Sequence, residues 1–102
     1  MLATLGNVGN IYARQGMSYR WPMDKRGRID HRAPRLLWQQ VADDLRSEID
    51  AGKLTDRLPG ELDLADDYGV SRDTVRRAIA ELVSEGRLVV LHGRGTFVQP
   101  ND

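Results

Sequence analysis

Two short runs, "ELDLADDY" and "RDTVRRAIAEL", meet across Gly69-Val70-Ser71, and this junction constrains the chain more than any other feature. Glycine reaches positive φ without steric cost, so Gly69 permits a sharp turn between two helices. Ser71 is a favoured N-cap for the helix that follows. Val70 and Val75 bracket that helix start as a hydrophobic staple does. Val75, Ala78, Ile79 and Leu82 then recur at helical spacing as an apolar stripe, and Gly86 ends the run. In the shorter helix, running from Glu61 to about Tyr68 with Gly60 as its N-cap, Leu62, Ala65 and Tyr68 lie on one side. Ala65 is small enough to let the two helices approach at their crossing. Together they form a helix-turn-helix.

The flanking sequence completes the architecture. Leu37, Val41, Leu45 and Ile49 recur every four residues, with Trp38 and Ala42 beside them, which predicts a first amphipathic helix ended by Gly52. Asp43, Asp44, Arg46, Ser47, Glu48 and Asp50 lie off the stripe and read as a solvated face. After the third helix, "LVVLHGRGTFV" carries two β-rich runs around a glycine-rich tip, the pattern of a hairpin. The predicted fold is mainly α with a small β-hairpin: a winged helix-turn-helix of three helices plus a wing, over residues 35–98. Residues 1–34 show no sustained period and contain four glycines and two prolines. They read as a flexible basic N-terminal arm, whose "KRGR" (25–28) is either plain tail or a touch on phosphates or a minor groove. Residues 99–102 are a polar end.

Net charge is zero, which at first argues against nucleic acid. The distribution argues otherwise. Residues 1–35 hold seven Lys/Arg and two Asp, a balance of +5, whereas residues 36–102 hold eight against thirteen acids, a balance of −5. Within the acidic part, residues 71–95 return to +2, with five arginines against three acids. Thirteen of the fifteen cations are arginine, the planar donor that matches phosphate and guanine edges.

On the third helix, over 71–85, the arrangement is specific. Arg72 in the first turn and Arg76 one turn later share an edge beside the buried stripe, where a recognition helix presents side chains to the major groove. Each can bond guanine O6 and N7 in a bidentate fork. Ser71 and the first N–H groups suit a phosphate, and Thr74 suits a phosphate or a thymine methyl. Arg77 falls on the more exposed side, where Asp73 is spaced to orient it. An i,i+4 pair of this kind contributes only about 0.3 kcal/mol, too little to account for the cluster. On the wing (88–98), His92, Gly93, Arg94 and Thr96 are candidates for backbone or minor-groove contact, a solvated turn being the plain alternative for His92 and Arg94, and the two tip glycines permit close approach.

Other chemistries are poorly served. With no cysteine and only His31 and His92, far apart, no metal site is expected. Ser71 has no nearby histidine, and no carboxylate pair sits in an apolar setting, so neither catalysis nor a cofactor is expected. No stretch approaches the length of a membrane span, so a cytoplasmic, nucleoid-associated protein is the expectation.

Residues 37–98 resemble the DNA-binding domain of the GntR family of bacterial regulators, through "QQVADDLRSEIDAGKL", "LPGELDLADDYGVSRDTVRRAIAEL" and "EGRLVVLHGRGTFV". The "GRGTFV" wing is most similar to the HutC type, and the short form resembles transfer repressors of actinobacterial plasmids. The resemblance implies that Arg72 and Arg76 contact operator bases and that Thr74 and Gly93 occupy contact positions. This sequence departs from the family where Leu62 replaces a common arginine, where Gly60 replaces a serine cap, in a shorter "KLTDRLP" loop, and at Asp73. Family members continue into a domain that binds an effector and dimerises; the expectation is an excised DNA-binding domain rather than a naturally short regulator. The implied function is sequence-specific binding of a palindromic operator by a repressor, as a homodimer on DNA, with any effector bound elsewhere. The alternative is a winged helix whose acidic first and second helices dock a protein and read no DNA.

Overall fold

The computed structural model describes residues 24–33 and 35–99. Three helices, α1 (Leu37–Asp50), α2 (Glu61–Tyr68) and α3 (Arg72–Ser84), precede an antiparallel hairpin of β1 (Leu88–Leu91) and β2 (Gly95–Val98). This is the winged helix-turn-helix that the apolar periodicities predict. α3 is its centre, packing against α1, α2 and β1. Val75, Ala78, Ile79 and Leu82 of α3 meet Val41, Ala42 and Leu45 of α1, Leu64, Ala65 and Tyr68 of α2, and Leu88 of β1. Full burial of an aliphatic side chain is worth about 1.5–3 kcal/mol, so this one core holds every element in place.

Local chemistry sets the helix boundaries. The Ser71 hydroxyl accepts a hydrogen bond from the Thr74 N–H at 3.1 Å, capping α3. α2 ends on Gly69 in the left-handed region, at φ +69. The Gly69 N–H donates to the Asp66 carbonyl at 3.2 Å and the Val70 N–H to the Ala65 carbonyl at 3.0 Å. That paired closure turns the chain straight into α3.

One side chain departs from its predicted place. Leu62, assigned by spacing to the inner side of α2, is 62% exposed, and Leu64 takes the core position. In a helix this short the buried arc is set by the crossing with α3, and it runs through Leu64, Ala65 and Tyr68.

The loop before α2 has a defined path beside the wing. Leu58 N–H donates to Thr96 O, and Val98 N–H to Asp56 O, both at 2.9 Å. Arg57 thereby pairs with Phe97 as a single antiparallel bridge on the outer edge of β2. Leu54 and Leu58 reach into the core from this segment.

Residues 24–33 differ from the expectation of a flexible arm. Arg26–Arg28 form a turn of 3-10 helix against α2, and Ile29 joins the core. Lys25 is fully buried. Its ammonium donates to Asp44 Oδ2 at 2.9 Å and to the Tyr68 hydroxyl at 3.1 Å, and lies 5.0 Å from the Tyr68 ring centroid. The Tyr68 hydroxyl donates to the same Asp44 oxygen at 2.6 Å. Arg28 spans Asp44 and Glu48, with its shortest bond, 3.0 Å, to Glu48. The solvated acidic face predicted for α1 is corrected at these two carboxylates: Glu48 is buried and Asp44 half-buried. The composition of this segment is tail-like, but its cations have acids to meet on the domain. The remainder of the predicted arm, residues 1–23, lies outside the described residues, as does Pro34.

Candidate nucleic-acid interface

Arg72 and Arg76 occupy one edge of α3, and a single carboxylate links them. Glu61, the first residue of α2, accepts from Arg72 Nη2 at 3.2 Å and from Arg76 Nε at 3.1 Å, both at Oε1. Burial pushes the Glu61 carboxyl up, but the hydrogen bonds from Arg76 and Arg72 outweigh it and hold it below the usual carboxylate range. Both guanidinium groups stay about half exposed. They are ordered side by side while still facing solvent.

Glu61 is a member of this group that carries no mark in the sequence. Its spacing from Arg72 is eleven residues, and only the helix crossing brings the two together. A glutamate opening a helix already has a sufficient explanation in the helix dipole, so nothing in the linear pattern marks it.

Asp73 also differs from expectation. Its carboxylate lies 3.6 Å from Arg76 Nη1, at i,i+3, rather than orienting Arg77. Arg77 instead lies over the Trp38 ring of α1, 4.8 Å from its centroid. Attraction between a guanidinium and an indole face competes well with an exposed ion pair, and it draws Arg77 to the α1 side of the helix. Thus Ser71, Arg72, Thr74 and Arg76 share the first turns of α3, whereas Arg77 stands apart. Thr74 is half-buried, and its hydroxyl accepts from that of Ser71 at 3.0 Å.

The wing tip is a tight turn. Arg94 N–H donates to Leu91 O at 2.8 Å, and Gly93 sits at φ +77 between them. Glycine is favoured at the third position of such a turn. His92, Gly93 and Arg94 are exposed at the tip, whereas Thr96 is half-buried one residue inside β2. A groove between the wing and the α2–α3 pair is lined by Glu61, His92, Arg94, Thr96 and Arg57. Arg57 carries no distinguishing signal in the sequence; its guanidinium packs beside Gly95. The wing candidates and the Arg72–Glu61–Arg76 group therefore border one continuous surface. Among the described residues, no cluster of side chains could hold a metal ion, and no helix is long and apolar enough to cross a membrane.

Comparison with known proteins gives this surface a context. The family model described as bacterial regulatory proteins, gntR family, matches residues 37–98. The transcriptional repressor NagR of Bacillus subtilis is 42% identical over 72 residues, covering 69% of this chain and 30% of that protein. Among solved structures, YtrA of Sulfolobus acidocaldarius, a GntR-family transcription factor, superposes with a TM-score of 0.67 at 30% identity, covering 79% of this chain and 84% of the other. The AraR DNA-binding domain in complex with operator ORX1 superposes at 0.61 with 36% identity, covering 69% and 93%. The chain spans under a third of the length of curated relatives such as NagR. The chain belongs to the gntR family of bacterial regulatory proteins and carries its winged helix-turn-helix DNA-binding domain.

Proposed function

We propose that this domain reads an operator through Arg72 and Arg76, and that the protein represses transcription by occupying it. The observation that carries the reading is the Glu61 bridge, which links two arginines on the exposed edge of α3. Ordering long side chains before binding reduces the entropy lost on contact. Ser71 and Thr74 take phosphate or thymine contacts, and His92, Gly93, Arg94 and Thr96 engage the backbone or minor groove from the wing. Arg77, stacked on Trp38, contributes charge rather than base reading. Solved complexes of AraR with its operators and the repressor names of curated relatives support this assignment.

The same reading extends to the assembly. Two copies on a two-fold symmetric, palindromic site follow from the usual geometry of helix-turn-helix dimers. The same proposal assigns effector binding and stable dimerisation to sequence outside residues 37–98. A cytoplasmic location on the nucleoid follows from the function.

The test is a selection from random duplexes by the protein itself, followed by anisotropy titrations of the enriched duplex and a scrambled version over a salt series. Enrichment of an inverted repeat, bound more tightly than the scrambled duplex, is the expected result. No enrichment and no binding at low salt would leave the domain as a protein-docking module and overturn the proposal.

A further inference from the structure

The basic stretch ahead of the domain divides its cations between two tasks. Of the four in residues 24–33, Lys25 and Arg28 turn inward and are taken up by Asp44 and Glu48. Arg32 is exposed, and Arg26 turns outward. Its aliphatic stem lies across Gly69, so close that a Cβ there would meet Arg26 Cγ at 3.1 Å and Cδ at 3.3 Å. His31 fixes the segment at the same point, its Nε2–H donating to the Gly69 carbonyl at 3.0 Å. Gly69 is the turn of the helix-turn-helix, two residues ahead of the α3 cap. A segment outside the family-matched residues 37–98 is thus docked at the entrance to the recognition helix.

The Arg26 side chain is 61% exposed, and the carboxylate that faces it, Asp24, stands off at 3.8 Å. An exposed pair of that kind is weak, so a phosphate can take its place. In helix-turn-helix docking the first helix of the pair crosses the duplex backbone while the second enters the groove. The turn that joins them therefore passes the lip of the groove, where phosphates lie. Pinned to that turn, the Arg26 guanidinium is held ahead of α3 rather than on its base-reading edge. Asp66 and Asp73, exposed on either side of the turn in sequence, repel a phosphate, so the contact is one that Arg26 makes against neighbouring negative charge.

We propose that Arg26 engages a backbone phosphate of the operator at the turn side of α3, an added contact that the buried Lys25 anchor makes possible. The inference rests on the DNA-binding reading above. The test is Arg26→Gln in the full chain, titrated against the self-selected duplex and its scrambled version over a salt series. The expected result is a salt slope shallower by about 0.9, with affinity reduced by the same factor on both duplexes. Arg26→Lys, which keeps stem and charge, should retain the slope, and unchanged thermal melts should show that neither variant unfolds. An unaltered slope in Arg26→Gln, or a loss confined to the selected duplex, overturns the inference while leaving operator binding intact. If the wild-type protein binds neither duplex, the DNA-binding reading falls and this inference falls with it.

Discussion

Lys25 and Arg72 are both cations bonded to a carboxylate, yet the structure uses them in opposite ways. Lys25 is sealed beneath the 3-10 turn, with Asp44 and Tyr68 around its ammonium. Burial pulls its pKa down, and the hydrogen bond and charge of Asp44 pull against that shift. Arg72 is half exposed and shares one glutamate oxygen with Arg76. In the buried cluster Lys25 and Arg28 pair with Asp44 and Glu48 and hold a segment to the domain. On α3 the acid restrains the arginines without covering them, so they remain able to meet a ligand. A zero net charge therefore conceals a division between internal neutralisation and a presented basic surface.

The largest break in this comparison comes from the buried side. Removing one partner of a buried ion pair typically costs about 3–5 kcal/mol; Arg28 still faces Asp44 after Lys25→Met, so a loss near 3 kcal/mol is expected. Urea unfolding would measure it. If stability is unchanged, the cluster is not what fixes residues 24–33 to the domain.

A second effect follows from acid. Burial pushes the Asp44 carboxyl up, but hydrogen bonds from Tyr68 and Lys25 outweigh it and hold its pKa below the ordinary 3.8. A carboxyl depressed in the folded state binds more protons unfolded, so its stabilisation is complete above about pH 4 and drains away as pH falls through the folded value. Asp44→Asn should flatten the acid limb of a melting-temperature profile, with Glu61→Gln flattening it less. Equal acid limbs in wild type and Asp44→Asn would remove Asp44 from the account.

The smallest effect sharpens the other side. Glu61→Ala removes the oxygen that Arg72 and Arg76 share, and ordering each arginine on binding then costs up to about 0.5–1.5 kcal/mol. It also removes a negative charge beside the duplex. Affinity for the scrambled duplex should rise while the ratio of operator to scrambled affinity falls. A ratio left unchanged would mean that Glu61 does not preorganise the pair.

The two regions were not equally legible in the sequence. The helix-turn-helix could be read because Gly69, the Ser71 cap and the Val75–Leu82 stripe are local signals with one economical solution. The hairpin was readable for the same reason, from glycines between β-branched runs. Glu61 and Arg57 were hidden because their roles arise from a helix crossing and from a loop lying beside β2. Asp44 and Glu48 looked solvated because helical periodicity records which side of a helix is apolar, not whether a distant basic segment covers its edge. The Arg77–Trp38 contact was hidden because spacing along a helix cannot reveal an indole face on another one. Leu62 was misplaced because an eight-residue helix offers too few turns to define its inner arc.

The central claim is that the Glu61-linked arginines read sequence while their neighbour Arg77 does not. The direct measurement is the ratio of operator to scrambled affinity for Arg72→Ala, Arg76→Ala and Arg77→Ala, each checked for an unchanged melt. Loss of a bidentate base contact should cost about 1–3 kcal/mol of discrimination in each of the first two variants. Arg77→Ala should leave the ratio unaltered. Retained discrimination in Arg72→Ala and Arg76→Ala, or its collapse in Arg77→Ala, would contradict the account.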